Sequence, residues 1–223
     1  MKEKKLILKI ILTVISILLI IWLINLGRKV YIINNTISKF EISSQKENCY
    51  WKLELTQDRD ITTYKKGNRI LTTVRGNNNK VIYSKNGKML NIFNETDGKK
   101  TVTLNQEIIN QESYPIFNMP YVISKDTLNS IILGALKSKI TTTKVNGKEC
   151  YLIESSYEPF IIYSQIETVQ LYIEKDTGLP IQVVNYDKKN EKTVHFYKYE
   201  FDNVTDENLK EPNINEYEIL NKN

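Results

Sequence analysis

Histidine occurs once in the 223 residues, at His195, and cysteine only twice, at Cys49 and Cys150. The chain contains no G-x-S-x-G elbow, no phosphate-binding glycine loop and no H-E-x-x-H, so the local signatures of hydrolases, nucleotide enzymes and zinc proteases are missing. His195 stands mid-strand beside Phe196 and Tyr197 and reads as a partly exposed sheet residue, although histidine is the usual general base. A zinc site gathers several Cys, His or carboxylate ligands, and one histidine with two distant cysteines does not suggest one. Carboxylates are plentiful, but nothing selects a glycosidase-like pair. The expectation is a non-enzymatic protein with no catalytic residue, metal or cofactor.

Alanine also occurs only once, at Ala135. A cleaved signal peptide has a short apolar core of roughly 7–15 residues ending at small residues of the A-x-A kind. Here Ile10 to Leu26 form a longer uncharged run, IILTVISILLIIWLINL, and no cysteine follows it to accept a lipid. At about 1.5 Å rise per residue such a run crosses a hydrocarbon core of roughly 30 Å when the flanking Leu6–Leu8 are added. An uncleaved signal anchor is therefore expected. Lys2, Lys4 and Lys5 precede the run and Arg28 and Lys29 follow it, a bias that favours a cytoplasmic N-terminus. The expected organisation is a cytoplasmic tip and anchor over residues 1–29, an extracytoplasmic domain over 30–217 and a tail over 218–223.

The excess positive charge belongs to the anchor. Of 31 Lys and Arg and 26 Asp and Glu, six bases and one acid lie in the first 29 residues, which leaves 25 of each sign beyond them. A nucleic-acid footprint needs clustered cations, whereas stretches such as KKNEKTVHFYKYEFD intersperse both signs. No nucleic-acid partner is expected.

Beyond the anchor there is no Pro-rich, Ser-rich or low-complexity linker. Short runs rich in Val, Ile, Thr and Tyr recur about every 10 residues between turn signals, the pattern of an all-β sheet. Strands are expected near 49–56, 61–64, 69–75, 80–84, 88–94 and 99–104, then 140–145, 149–155, 167–175, 180–187 and 192–201. Asn86-Gly87, Asn146-Gly147 and Asp97-Gly98 suit two-residue hairpins, and Gly178 suits the left-handed position of the turn after Asp176-Thr177. Ile33, Ile37 and Phe40 lie at helical spacing within 32–43. A second helix, capped by Ser124 or Asp126, runs to about Leu136 with Leu128, Ile131, Ile132 and Leu136 on one face. Between these blocks NQESYPIFNMPYVI, with Pro115 and Pro120, reads as a lid loop. The fold class is thus mainly β with a few helices: a membrane helix plus one eleven-stranded antiparallel open half-barrel with lid helices.

Alternation makes one sheet face apolar. Cys49, Trp51, Leu53 and Leu55 point one way, as do Val169, Leu171 and Ile173 on a later strand. If two short helices and a loop leave part of that face open, it is a cleft for an apolar ligand, and Trp51, Leu53, Leu55, Val169, Leu171 and Ile173 are its candidate lining. A filled core is the alternative. The ends of the meander, 49–56 and 192–201, are the expected free edges, open to strand addition by another chain. Tyrosine, 14 in number, fits a homodimer or protein contact as well as plain β-propensity. Cys49 and Cys150 allow either a disulfide closing a loop of about 100 residues or two buried thiols.

Helix, six strands, helix-bearing loop and five strands is similar to the order in the LolA-like lipoprotein-carrier fold. NGKECYLIE at 146–154, LYIEKDTGLPIQVV from Leu171, and YKYEFDNVTDENLKEPNINEY at 197–217 resemble extracytoplasmic LolA-like proteins of low-GC Gram-positive bacteria, clostridial germination lipoproteins of the GerS type among them. The resemblance implies an incomplete barrel with helices in its mouth, and a lipid or acyl chain as ligand. It also implies an accessory role beside a cell-wall or spore-cortex amidase in sporulation and germination. GerS-type proteins are lipoproteins, and this chain departs from them in lacking the lipid-accepting cysteine.

Overall fold

The computed structural model describes residues 2–107, 128–156 and 166–220. The expected lid loop and the caps Ser124 and Asp126 lie outside the described residues. Helix α1 (Lys2–Ser44) is followed by β1 (Asn48–Thr56), β2 (Arg59–Lys66), β3 (Arg69–Arg75), β4 (Asn79–Ser84), β5 (Met89–Thr96) and β6 (Lys99–Glu107). Then come α2 (Leu128–Lys137), β7 (Ser138–Val145), β8 (Lys148–Ser156), β9 (Ile166–Glu174), β10 (Pro180–Asp187), β11 (Lys192–Phe201) and the short β12 (Glu218–Ile219).

The apolar run and the amphipathic segment after it, read from the sequence as two elements, are one helix of 43 residues. No proline separates them, and a single interior glycine, Gly27, weakens a helix by about 1 kcal/mol without ending it. Leu6 to Ile24 project from the body with large exposed side chains, and this part is long and apolar enough to cross a membrane. Its hydroxyls are satisfied within the helix, Thr13 Oγ1 donating to Lys9 O at 2.9 Å and Ser16 Oγ to Leu12 O at 2.8 Å. Such pairing is what hydrocarbon demands of polar groups.

The strands form one twelve-stranded sheet in the order β12-β6-β5-β4-β3-β2-β1-β11-β10-β9-β8-β7. Two expectations change. The twelfth strand, in what the sequence leaves as a tail, pairs parallel with β6, Glu218 opposite Thr101 and Ile219 opposite Val102; two residues are too few to show a period. The ends of the meander are also not edges, because β1 and β11 pair with each other at the middle of the sheet, Lys52 opposite Lys198. The break falls instead between β6 and β7, which are not neighbours, so β7 is one edge and β6, partly covered by β12, the other. A proline at Lys198 would therefore cut a central ladder.

Turn chemistry follows the sequence at two hairpins. Asp97 and Gly98, and Asn146 and Gly147, all have positive φ, the type I′ pattern that matches strand twist. At Asn86-Gly87 only the glycine has positive φ. There Asn86 instead accepts from Lys88 N at 2.9 Å and Met89 N at 3.1 Å, and the loop between β4 and β5 is correspondingly longer than two residues.

Both faces of the sheet carry a core. On the inner face Ile140, Ile153, Val169, Leu171, Ile173 and Val183 pack with Ile32, Ile33 and Ile37 of α1 and Ala135 of α2. Phe40 stays only half-buried and Leu136 is exposed, so each helix is rotated slightly from the stripe expected of it. On the outer face of β3 to β6, Leu71, Tyr83, Phe93 and Val102 are covered by Val204 and Leu209 from the segment after β11, with Ile214 and Tyr217 beside them. That segment is pinned by Asn48, which bonds Val204 in both directions at 3.1 and 2.9 Å, and by Asp206 with Lys66 and Arg69.

Helix α1 lies along the inner face of the second half of the sheet. Lys29 Nζ donates to Ser138 O at 2.6 Å where β7 begins. Further along, Lys39 Nζ donates to Lys175 O at 2.5 Å and Ser43 Oγ to Thr177 O at 2.9 Å, in the β9–β10 turn. The helix thus enters at the end of the sheet that holds the β1–β2, β3–β4, β5–β6 and β10–β11 turns, the entry end. It leaves at the opposite, exit end.

The two cysteines are both free and buried. Cys49 shares the inner face with Trp51, whereas Cys150 is opposite Glu174 on the outer face. β1 and β8 are four strand spacings apart, roughly 19 Å at about 4.8 Å per strand. A bridge between them is ruled out, since bridged Cα atoms lie within about 7 Å.

Candidate functional site

Strand register builds the site. Trp51 on β1 stands opposite Tyr199 on β11 and Thr63 on β2, and Leu53 opposite Tyr197 and Ile61. Thr72 and Val74 on β3 continue the same rows, opposite Thr63 and Ile61, and His195 lies opposite Val183. These residues form a central strip on the inner face. It runs between the core under α1 and a smaller cluster of Ile70, Ile82 and Leu90.

Burial along the strip is graded. Toward the exit end Cys49, Trp51, Thr63, Ile70, Thr72, Ser84 and Leu90 are all buried. Toward the entry end Leu53, Leu55, Ile61, Val74 and His195 are only half-buried. The strip is closed at one end and open at the other, and its open walls are apolar apart from His195 and Lys80, which stands opposite Val74.

Its polar groups are few, and those between Lys65 and Lys80 are neutral. Thr63 and Thr72 satisfy each other through a 2.9 Å hydroxyl pair. Trp51 Nε1 and His195 Nδ1 are buried with no hydrogen-bond partner among the described residues, a costly condition for polar atoms. Burial pushes the His195 imidazole below its ordinary pKa, opposed by the carbonyl of Leu55, so the ring is uncharged at neutral pH. Tyr197 and Tyr199 stack at 6.2 Å with planes 3° apart. Burial raises both phenols, Tyr199 the more strongly with Tyr197 adding to the shift. The trough is apolar between its ends and suits a hydrocarbon chain, with one lysine toward each end of it on the same face, Lys65 opposite Cys49 and Lys80 opposite Val74.

The structure divides the six residues that the sequence put forward as lining. Trp51 forms the closed floor of the strip and Leu53 and Leu55 its open part. Val169, Leu171 and Ile173 lie instead in the filled core against α1, exposed by 3% or less. Ile61, Val74 and His195 join the strip. Their strands show the right alternation, but the neighbour relations that bring them beside Leu53 and Leu55 depend on strand order.

One polar cavity of about 460 Å³ lies at the exit end, lined by Gly147, Lys148, Glu149, Glu174, Lys175 and Asp176. Four of its five charges form two ion pairs, Lys148 with Glu174 at 2.9 Å and Lys175 with Glu149 at 3.1 Å. Among the described residues no three His, Cys, Asp or Glu side chains gather as a metal site.

No family model matches the chain, and no curated protein matches it. Among solved structures it is similar to LprF from Mycobacterium bovis, at 9% identity over 82% of this chain and 97% of that one, with a TM-score of 0.42. It is similar to the Pseudomonas aeruginosa MucA/MucB complex structure, at 9% identity over 81% of this chain and 61% of that one, with a TM-score of 0.38. A LolA superfamily protein from Nitrosomonas europaea is a third, at 10% identity over 79% of this chain and 97% of that one, with a TM-score of 0.22.

Proposed function

We propose that the chain is a non-enzymatic, membrane-tethered, extracytoplasmic binding module of the LolA-like kind, and that its inner-face strip receives an acyl chain of a lipid or lipoprotein. The observation that carries this reading is the graded strip, in which half-buried Leu53, Leu55, Ile61 and Val74 lead to a closed floor at Trp51. Sheet interiors normally pack to the density of organic crystals. An apolar row left half-open beside two closed cores is the kind of concavity that ligands use. The tether is α1, whose first part has the length and composition of a single span.

A fragment beginning at Leu26 keeps Lys29 and Val30, which hold α1 on the sheet. It should carry extractable lipid visible by mass spectrometry and bind a fluorescent fatty acid. Leu53→Glu and Leu55→Glu should each reduce that binding at least tenfold while sheet circular dichroism is unchanged, because a half-buried position lets the carboxylate reach water. A fragment with no lipid and no probe binding would mean that the strip is closed. A stoichiometric protein partner in place of lipid would move the reading to the accessory role beside a cell-wall amidase that the GerS resemblance implies.

A further inference from the structure

The helix that would span the membrane and the helix that plugs the sheet are the same helix, with no hinge between them. The apolar run ends at Leu26, and packing on the inner-face core begins at Leu26 and Val30. Three residues past Leu26, Lys29 Nζ holds the carbonyl of Ser138, the first residue of β7. At about 1.5 Å per residue the start of β7 is level with a point only about 4–5 Å along the axis from the end of the apolar run. Ser43, bonded to Thr177 O in the β9–β10 turn at the exit end, is a further 14 residues on, about 21 Å by the same rise. The two ends of the sheet are therefore held at different heights above the place where the apolar segment stops.

We infer that the entry end of the sheet rests on the bilayer surface, so that the strip opens onto the lipids of the membrane that holds the chain. The partner is the headgroup layer itself. It meets the turns at Gln57–Asp58, Gly76–Asn78, Asp97–Gly98 and Lys188–Glu191, while the exit-end turns stand clear. The half-buried residues Leu53, Leu55, Ile61 and Val74 lie at this end and the closed floor at the other. A hydrocarbon chain entering from the bilayer thus meets the open part of the strip first. A module on a flexible linker would have no fixed heading, whereas this one is set by a continuous helix whose docked part carries three side-chain bonds to the sheet, from Lys29, Lys39 and Ser43. The inference rests on the tether proposed above and is independent of the strip's ligand.

The test uses the full chain in lipid nanodiscs containing a phosphatidylcholine with a nitroxide on its headgroup. A thiol-reactive fluorophore is placed by Asn77→Cys or Lys189→Cys at the entry end and by Lys85→Cys or Asp176→Cys at the exit end, all exposed turn positions. Cys49 and Cys150 are buried, and the unsubstituted chain measures any labelling of them. Quenching should be at least threefold stronger at Asn77 and Lys189 than at Lys85 and Asp176. Equal quenching at both ends, or stronger quenching at the exit end, in a chain that resists carbonate extraction would overturn the orientation and leave the tether standing. A chain washed out of the membrane by carbonate would overturn the tether and the orientation with it.

Discussion

Leu171→Glu should leave the sheet unfolded, and Leu171→Ala should lower the stability of the full chain by about 2–5 kcal/mol. Leu171 has no exposed surface. It lies opposite Val183 on β10 and Ile153 on β8, and with them against Ile33 and Ile37 of α1. Alanine would leave a cavity that helix and sheet close only in part. Glutamate would place a carboxylate there with no partner, at a cost of several kcal/mol against a domain stability of about 5–15 kcal/mol. Guanidinium unfolding in detergent, followed by sheet circular dichroism, measures the difference. A loss under about 1 kcal/mol for Leu171→Ala would mean that the helix does not pack where the structure puts it. The same change to glutamate at Leu53, three strands away on the same face, should leave the midpoint nearly unchanged.

Gly178→Ala should be the most damaging of the glycine-to-alanine changes in the sheet turns. Gly178 has φ +71°, and a Cβ built there would lie 2.6 Å from Phe40 N, 2.6 Å from Thr36 O and 2.9 Å from Lys39 Cβ. The first two are helix backbone and cannot swing aside, so α1 must lift from the turn, and the bonds from Lys39 and Ser43 to Lys175 O and Thr177 O stretch with it. The left-handed conformation costs roughly 1–2 kcal/mol for a residue with a Cβ, and overpacking adds typically 1–3 kcal/mol. Gly98 and Gly147 are the controls, with φ +77° and +80° and nothing within 4 Å of a Cβ; there alanine should cost only the conformational part. Thermal unfolding of the three variants separates the contributions. Equal losses at all three would show that α1 does not approach the turn.

Much of the sheet is legible in the sequence because alternation and turn residues are local signals. The β9–β10 hairpin at Gly178 and the β7–β8 hairpin at Asn146-Gly147 follow from residues adjacent in the chain. Strand order is not local, and Cys49–Thr56 alternates in the same way whether its second neighbour is solvent or β11. The sheet edges therefore fall at β7 and β6 and not at the ends of the meander, and the candidate lining divides between the strip and the core under α1. Val169, Leu171 and Ile173 alternate as Trp51, Leu53 and Leu55 do, yet the docking of α1 makes the first set a core, while Trp51 is buried as a floor and only Leu53 and Leu55 stay half-buried. The outer-face core is not legible in the sequence for a similar reason. Val204, Leu209, Ile214 and Tyr217 lie in a segment with neither helical nor strand period, and only its wrap over Phe93 and Val102 gives them a common role.

The central claim is that the strip near Leu55 holds an acyl chain, and photo-crosslinking tests it most directly. A benzophenone amino acid replaces Leu55 in the full-length, membrane-bound chain, and Thr62, which lies opposite Lys52 and Thr73 on the outer face, serves as the control position. After irradiation, mass spectrometry should find a lipid-mass adduct at position 55 and none at position 62. No lipid adduct at position 55, or equal adducts at both positions, would contradict the account.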